Sequence, residues 1–389
     1  MNPGVFWIAW RSFLHHRLRN GILLACLAVG LFLPLASRLL VARYQEELGA
    51  RARATPLLGG PRGGSLELVL EALAFRRAAH PPLPLAEARA LEAEDRGLVI
   101  PLQLRNTARG RPLVGTVAEY FELRGLRPAA GRLPLRTGEA VLGAEAARAL
   151  GLGPGDLLAT DPREILDLAR PPSLRLRITG VLAESGSPDD RAVFTDLRTI
   201  WAVEGYAHAH ADPARVPEDQ VLAEAGEVRE LSPALPVAEV LEPGDLAGLH
   251  VHGDEGRLPL SCLIFLPRDA RAATLVRTRW NDAPDRQMVE PARVIEDLFV
   301  LVLQVRAWFD RFALLLGVST ALLAALVLSL DLRLRQREME TLRRIGCAPG
   351  TVLLLRTVET GVLLLGAVLL AVLASGLVLW ITPDLVTSL

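Results

Sequence analysis

Lysine is missing from the chain altogether: all 43 basic residues are arginine, against 44 acidic ones. A phosphate-binding P-loop needs its lysine to reach the β- and γ-phosphates, so no working Walker A motif is present. The same absence excludes a protein kinase site and a pyridoxal Schiff base. Cysteine is scarce as well. Cys26, Cys262 and Cys347 fall in different segments, which argues against an internal disulfide, and nothing has zinc-type spacing. No G-x-S-x-G, H-E-x-x-H or C-x-x-C string occurs, which argues against catalysis by this chain. A formal net charge of −1 gives no reason to expect nucleic acid as a partner.

What the sequence does have is apolar residues, 51% of the total, with long runs confined to its two ends. Gly21 to Ala36, extended to Val41 if Arg38 snorkels, follows an N-terminal stretch with Arg11, Arg17 and Arg19 and no acidic residue. That arrangement predicts a first membrane span with its N-terminus in the cytoplasm. A cleaved signal peptide is the competing reading, disfavoured by the long aromatic lead of Phe6, Trp7 and Trp10. Phe312 to Leu330 carries no charge and gives roughly 29 Å of helix, matching the hydrocarbon core. Thr360 to Ile381 is a third such run, with Trp380 where an interfacial aromatic belongs. The fold class expected is therefore an α-helical membrane protein. It has three transmembrane helices, and a large mixed α/β extracytoplasmic domain is inserted between the first and second.

That intervening region, 42–306, opens with a polar, helix-prone stalk, Tyr44 to Arg53, and a glycine-rich stretch, Leu57 to Gly64, which reads as a linker. Strand-like runs follow at Leu98–Leu104, Leu113–Val117, Ala140–Leu142, Leu174–Val181 and Cys262–Leu266. Helical segments are expected at Gly143–Leu150, Asp196–Val203 and Ala270–Trp280. Proline-rich breaks suggest two lobes, divided near Ala211 and Asp212. Helical spacing resumes at Pro291 and feeds into the second apolar run, so the last part, 307–389, reads as a membrane domain.

Beyond the second run no helix breaker intervenes before Gly346, so the helix is expected to leave the lipid as a charged rod. Asp331 and Arg335 are spaced i,i+4 on it, as are Glu340 and Arg344. Met339, Leu342 and Ile345 form a narrow apolar stripe, and Arg343 and Arg344 lie where the helix dipole favours cations. After it, Thr351 to Val358 reads as a short helix at the cytoplasmic interface.

Two H-x-H-x-D strings stand out: His208, His210, Asp212 and His250, His252, Asp254. If extended, alternate residues share a face, so each could present two imidazoles and a carboxylate to a metal ion. A solvated loop or strand edge is the favoured reading, and the sequence assigns no metal site. Asp189 and Asp190, in SPDDR, have no accompanying base or nucleophile and are expected in a turn.

REMETLRRIG after the second apolar run resembles the segment R-x-x-E-x-x-x-L-R-x-x-G of the FtsX-like and MacB-like ABC permeases. Arg335, Glu338, Leu342, Arg343 and Gly346 stand at its positions, flanked by Arg337, Glu340 and Arg344. Glu359 resembles the acidic residue that often opens the next span. Gly131 to Leu158 and Leu176 to Trp201 are similar to the MacB-type periplasmic core. The resemblance implies a non-catalytic permease subunit of a bacterial inner membrane with its large domain periplasmic. It implies a separate cytoplasmic ABC ATPase dimer as partner, which binds the ATP, and no cofactor on this chain. A second permease copy, a periplasmic adaptor or delivery protein and membrane lipid are the further partners expected. The nine residues from Arg335 to Glu359 would be the coupling surface, passing ATPase closure to the outer domain as mechanical work. The family usually has a fourth span, which this sequence does not contain. Alternatives are a regulator of a cell-wall hydrolase, as in the FtsX branch, and a periplasmic metal-binding sensor.

Overall fold

The glycine-rich stretch expected as a linker is a strand inside a sheet. Leu57–Pro61 is fully buried, and a Cβ at Gly60 would come within 2.5 Å of Leu68 Cδ1, itself inaccessible to solvent. The glycines are there because a helix packs directly on the strand's backbone. Composition alone cannot distinguish that need from flexibility.

The computed structural model describes residues 17–77, 80–134, 136–161, 174–208, 221–225, 228–231, 250–251, 254–334 and 349–381, with isolated positions 7, 11, 14, 15 and 344. The chain divides into two units, Glu47–Leu298, and Met1–Glu46 with Phe299–Leu389. The helices are α1 Arg17–Arg53, α2 Ser65–Ala74, α3 Leu85–Ala93, α4 Ala118–Arg124, α5 Ala144–Leu150, α6 Leu197–Val203, α7 Ala270–Asn281, α8 Pro291–Leu334 and α9 Pro349–Ile381.

Ten strands of the first unit make one mixed sheet: β1 Leu57–Pro61, β2 Gly97–Ala108, β3 Arg111–Thr116, β4 Pro128–Gly131, β5 Glu139–Leu142, β6 Leu157–Ala159, β7 Arg175–Leu182, β8 Val193–Asp196, β9 Cys262–Pro267 and β10 Arg286–Val289. Their order is β10–β1–β9–β2–β3–β8–β5–β7–β4, with β6 also on β7. The pairs β3/β8 and β5/β7 are parallel; the other pairs are antiparallel. Long strand β2 joins the two halves of the sheet. Gly97–Leu102 pairs with β9, a register shift falls between Gln103 and Asn106, and the remainder pairs with β3. Such an irregularity bends a strand.

Each half has its own core. Leu57, Leu91, Phe265, Trp280 and Met288 fill one; Leu113, Leu142, Leu176, Val193 and Ile200 fill the other. The division expected near Ala211 and Asp212 is therefore corrected. Strands β9 and β10, from beyond it, pair with β1 and β2 from before it, so the two cores are interleaved in sequence. Helices α6 and α7 begin where the sequence places their caps. Asp196 accepts from the amide of Thr199 at 3.1 Å, and Asp269 from that of Ala272 at 2.7 Å.

Asn20–Arg53, whose last turns belong to the first unit, and Thr357–Val378 of the second are long and apolar enough to cross a membrane. The charge-free stretch from Phe312 to Leu330 belongs to α8, and Phe312, Leu314, Leu315, Leu322 and Leu326 along it are all exposed. Arg38 pairs with Asp310 of α8 at 3.1 Å, and Arg306 lies 3.8 Å from the same carboxylate. On α9, Leu363, Ala367, Ala371 and Ser375 are buried at four-residue spacing, and a Cβ at Gly366 would lie 2.9 Å from Leu24 of α1. Small residues of this kind let membrane helices approach closely. The separate interfacial helix expected at Thr351–Val358 is corrected too. No breaker stands between it and the next run, and α9 is continuous from Pro349 to Ile381.

Candidate functional site

Of the residues assigned to the coupling surface, Arg335, Arg337, Glu338, Glu340, Leu342, Arg343 and Gly346 lie outside the described residues. Arg344 is helical and exposed, and Glu359 is half-buried within α9. Helix α8 is described to Leu334, and the rod expected beyond it lies outside the described residues.

The densest cluster of charge in the first unit lies at the C-terminal end of α1, in residues read from sequence only as a polar stalk. Arg51 is 8% exposed. Its guanidinium forms a two-pronged pair with Asp189, Nη2 to Oδ1 at 3.0 Å and Nη1 to Oδ2, and also donates to the Tyr120 hydroxyl at 2.8 Å. Tyr120 donates in turn to Asp189 Oδ1 at 2.7 Å, and Ser187 to Oδ2 at 2.8 Å. The Phe75 ring lies 5.3 Å from the Arg51 guanidinium carbon, with Phe194 packed edge-on to Phe75. One turn on, Thr55 donates to the Arg51 carbonyl and accepts from Arg124, which lies over the Tyr120 ring.

Charges buried this completely shift one another's protonation. Burial alone would lower Arg51, but Tyr120 and Asp189 outweigh it and the net shift is upward. For Asp189 burial pushes up, yet the Coulomb field of Arg51 and the hydrogen bonds around it hold the carboxyl below its ordinary value. Burial raises the Tyr120 phenol and lowers Arg124, the latter with help from Arg51. The result is an ion pair that stays charged across the physiological range, clamped in an aromatic box.

The Asp189–Asp190 turn exists as expected, a 3₁₀ turn over Pro188–Arg191, but both carboxylates are buried. Asp190 holds the loop before it, accepting from the amide of Ser185 at 2.9 Å and of Gly186 at 2.7 Å. The turn is seated against Gly143, where a Cβ would come within 2.2 Å of the Asp189 carbonyl oxygen and 2.4 Å of that of Asp190. Gly143→Ala is expected to destabilise the domain by about 1–3 kcal/mol and to loosen the Arg51 receptacle. Hydrogen exchange of residues 185–196 in the full chain checks this; unchanged protection there would refute it.

No spacing rule links Arg51 to a carboxylate 138 residues away. The one local signal is that the arginine follows small residues late in a helix, and that is too common to use. Among the described residues no group of three or more His, Cys, Asp or Glu side chains is placed to hold a metal ion. His210, Asp212 and His252 of the two histidine strings lie outside the described residues. Burial raises the Cys262 thiol well above its ordinary value, which marks it as an inert core cysteine.

A family model described as the MacB-like periplasmic core domain matches residues 41–227, a stretch that begins in α1 and takes in the whole Arg51 receptacle. Residues 41–227 are thus similar to the MacB-like periplasmic core domain. The match covers a little under half of the chain. The periplasmic region of MacB from Actinobacillus actinomycetemcomitans aligns with 13% identity and a TM-score of 0.37, over 63% of this chain and 94% of that one. The extracellular domain of the noncanonic ABC-type transporter YknZ from Gram-positive bacteria aligns with 11% identity and a TM-score of 0.33, over 60% and 99%. No curated protein matches the chain.

Proposed function

We propose that the chain is the permease subunit of an ABC system in which a separate cytoplasmic ATPase drives conformational work by the periplasmic core domain. The observation that carries this reading is the MacB-like core match joined to α1, whose last turn is bonded into that core through Arg51. A helix that ends in a buried two-pronged ion pair passes displacement to the domain without slack, because moving it would expose an unpaired charge. The N-terminus is cytoplasmic, Phe312–Leu330 of α8 is a third crossing beside those in α1 and α9, and the segment from Arg335 to Gly346 meets the ATPase. In this family the membrane subunit is typically not itself catalytic, and the excluded motifs agree. The work done is export, extraction or hand-over of an envelope substrate.

Purification of the untagged chain from its native membrane tests the reading. An ABC ATPase is expected to accompany it, with nucleotide hydrolysis changed when the two are reconstituted together in lipid. Hydrolysis indifferent to the permease would refute coupling.

A further inference from the structure

Between residues 17 and 45 the chain has no acidic residue, and between 298 and 330 its only one is Asp310. Arg38, Arg43, Arg306 and Arg311 nevertheless stand in these stretches, at the end away from the arginine-rich N-terminus. Arginine is ordinarily scarce on that side of a membrane span. The 3.1 Å contact between Arg38 and Asp310 ties α1 to α8 at this point. Arg38 lies two residues past the apolar run Gly21–Ala36, and Asp310 two residues before Phe312–Leu330, so the pair brings the ends of both runs to one level. Asp310 is shared, since Arg306, one turn earlier on α8, lies 3.8 Å from it. Arg311 has no carboxylate partner among the described residues and lies over the Trp308 ring, 5.3 Å from its centroid. Trp308, Phe309 and Phe312 are all exposed there.

We propose that the arginines at this α1–α8 junction bind the phosphate of an anionic glycerophospholipid. The inference rests on the reading of α8 as a crossing. Arg38, Arg306 and Arg311 face one carboxylate, which leaves two positive charges uncompensated where both apolar runs end. Neither stretch holds a second carboxylate to meet them, whereas the surface of a bilayer is lined with phosphates. A guanidinium offers parallel N–H donors that match phosphate oxygens in pairs. The exposed Trp308, Phe309 and Phe312 rings supply the apolar surface beside it, with the amphipathic indole at headgroup level. Surplus charge favours a headgroup with a net negative charge over a zwitterionic one, whose own cation already neutralises the phosphate.

The test uses the full chain in phosphatidylcholine bilayers. These contain a minor fraction of phosphatidylglycerol brominated on its acyl chains, or the same fraction of brominated phosphatidylcholine. The quenching of fluorescence that disappears in Trp308→Phe reports the lipid beside that residue. Phosphatidylglycerol is expected to quench Trp308 as though enriched there about five-fold for each arginine engaged. Arg311→Gln, which breaks no ion pair, should remove part of the enrichment, and Arg306→Gln with Arg311→Gln most of it, while quenching by brominated phosphatidylcholine persists. Asp310→Asn should raise the enrichment by releasing two guanidiniums, which a merely structural aspartate would not do. Equal quenching by the two lipids, or enrichment unchanged in the double variant, overturns the proposal and leaves α8 as a crossing. Enrichment erased by inorganic phosphate, but not by chloride at the same ionic strength, assigns the cluster to a soluble anion and overturns it too. Trp308 quenched by neither lipid takes α8 out of the bilayer, and refutes the reading together with the proposal.

Discussion

Arg51→Ala is expected to destabilise the core domain by about 3–5 kcal/mol, the usual consequence of removing one partner of a buried ion pair. The cost arises at Asp189, left 2% exposed with its counter-charge gone and only Tyr120 and Ser187 to donate to it. Asp189→Ala should cost as much, by stranding the guanidinium inside the aromatic box. Replacing both together, Arg51→Met with Asp189→Leu, should cost less than either single change, because no buried charge is left. What remains is the Tyr120 hydroxyl without a partner, a loss of about 1–3 kcal/mol. Denaturant unfolding of the full chain in detergent, read from buried Trp201 and Trp280, gives the three values. A double variant as unstable as the sum of the singles would show that the pair acts by packing and not by charge.

The same pair sets an acid limit. Asp189 has a folded-state value below that of the unfolded chain, about 3.9. Its contribution is therefore complete above roughly pH 4 and lost as pH falls through the depressed folded value. The stability difference between the wild type and Asp189→Asn should be constant at neutral pH and shrink in that acid window. A difference that instead shrinks on raising the pH from 5 to 8 would assign the effect to another group.

Arg343→Glu with Arg344→Glu should abolish coupling while leaving membrane insertion intact, and Thr341→Pro should do the same by breaking the helical rod. A proline inside a helix costs about 3 kcal/mol and removes a backbone bond. Reversing two adjacent charges converts attraction to repulsion at a surface expected to grip the ATPase. The measurement is co-purification of the ATPase, together with its nucleotide hydrolysis in reconstituted lipid. Retention of both in the charge-reversed protein would refute the assignment of that segment.

Local pattern carried much of the fold and little of the site. Strands at Leu98–Leu104, Leu113–Val117, Ala140–Leu142, Leu174–Val181 and Cys262–Leu266, and helices near Gly143, Asp196 and Ala270, are all present within a few residues of where alternation and caps put them. Those signals are written into short windows. The linker that is a buried strand, and the lobes that are interleaved cores, failed for one reason: both depend on which distant segments pack against a stretch, and Gly60 does not announce Leu68. Arg51 failed more sharply. An arginine in a polar helix reads as solvated until a receptacle from residues 120 and 185–191 closes on it.

Strand β1 follows α1 and strand β10 precedes α8, and the two are neighbours, Leu58 facing Val289. The chain thus departs from its first long helix and comes back to the second through two strands bonded to each other, so the two ends of the stretch between positions 62 and 285 are held at one place in the sheet.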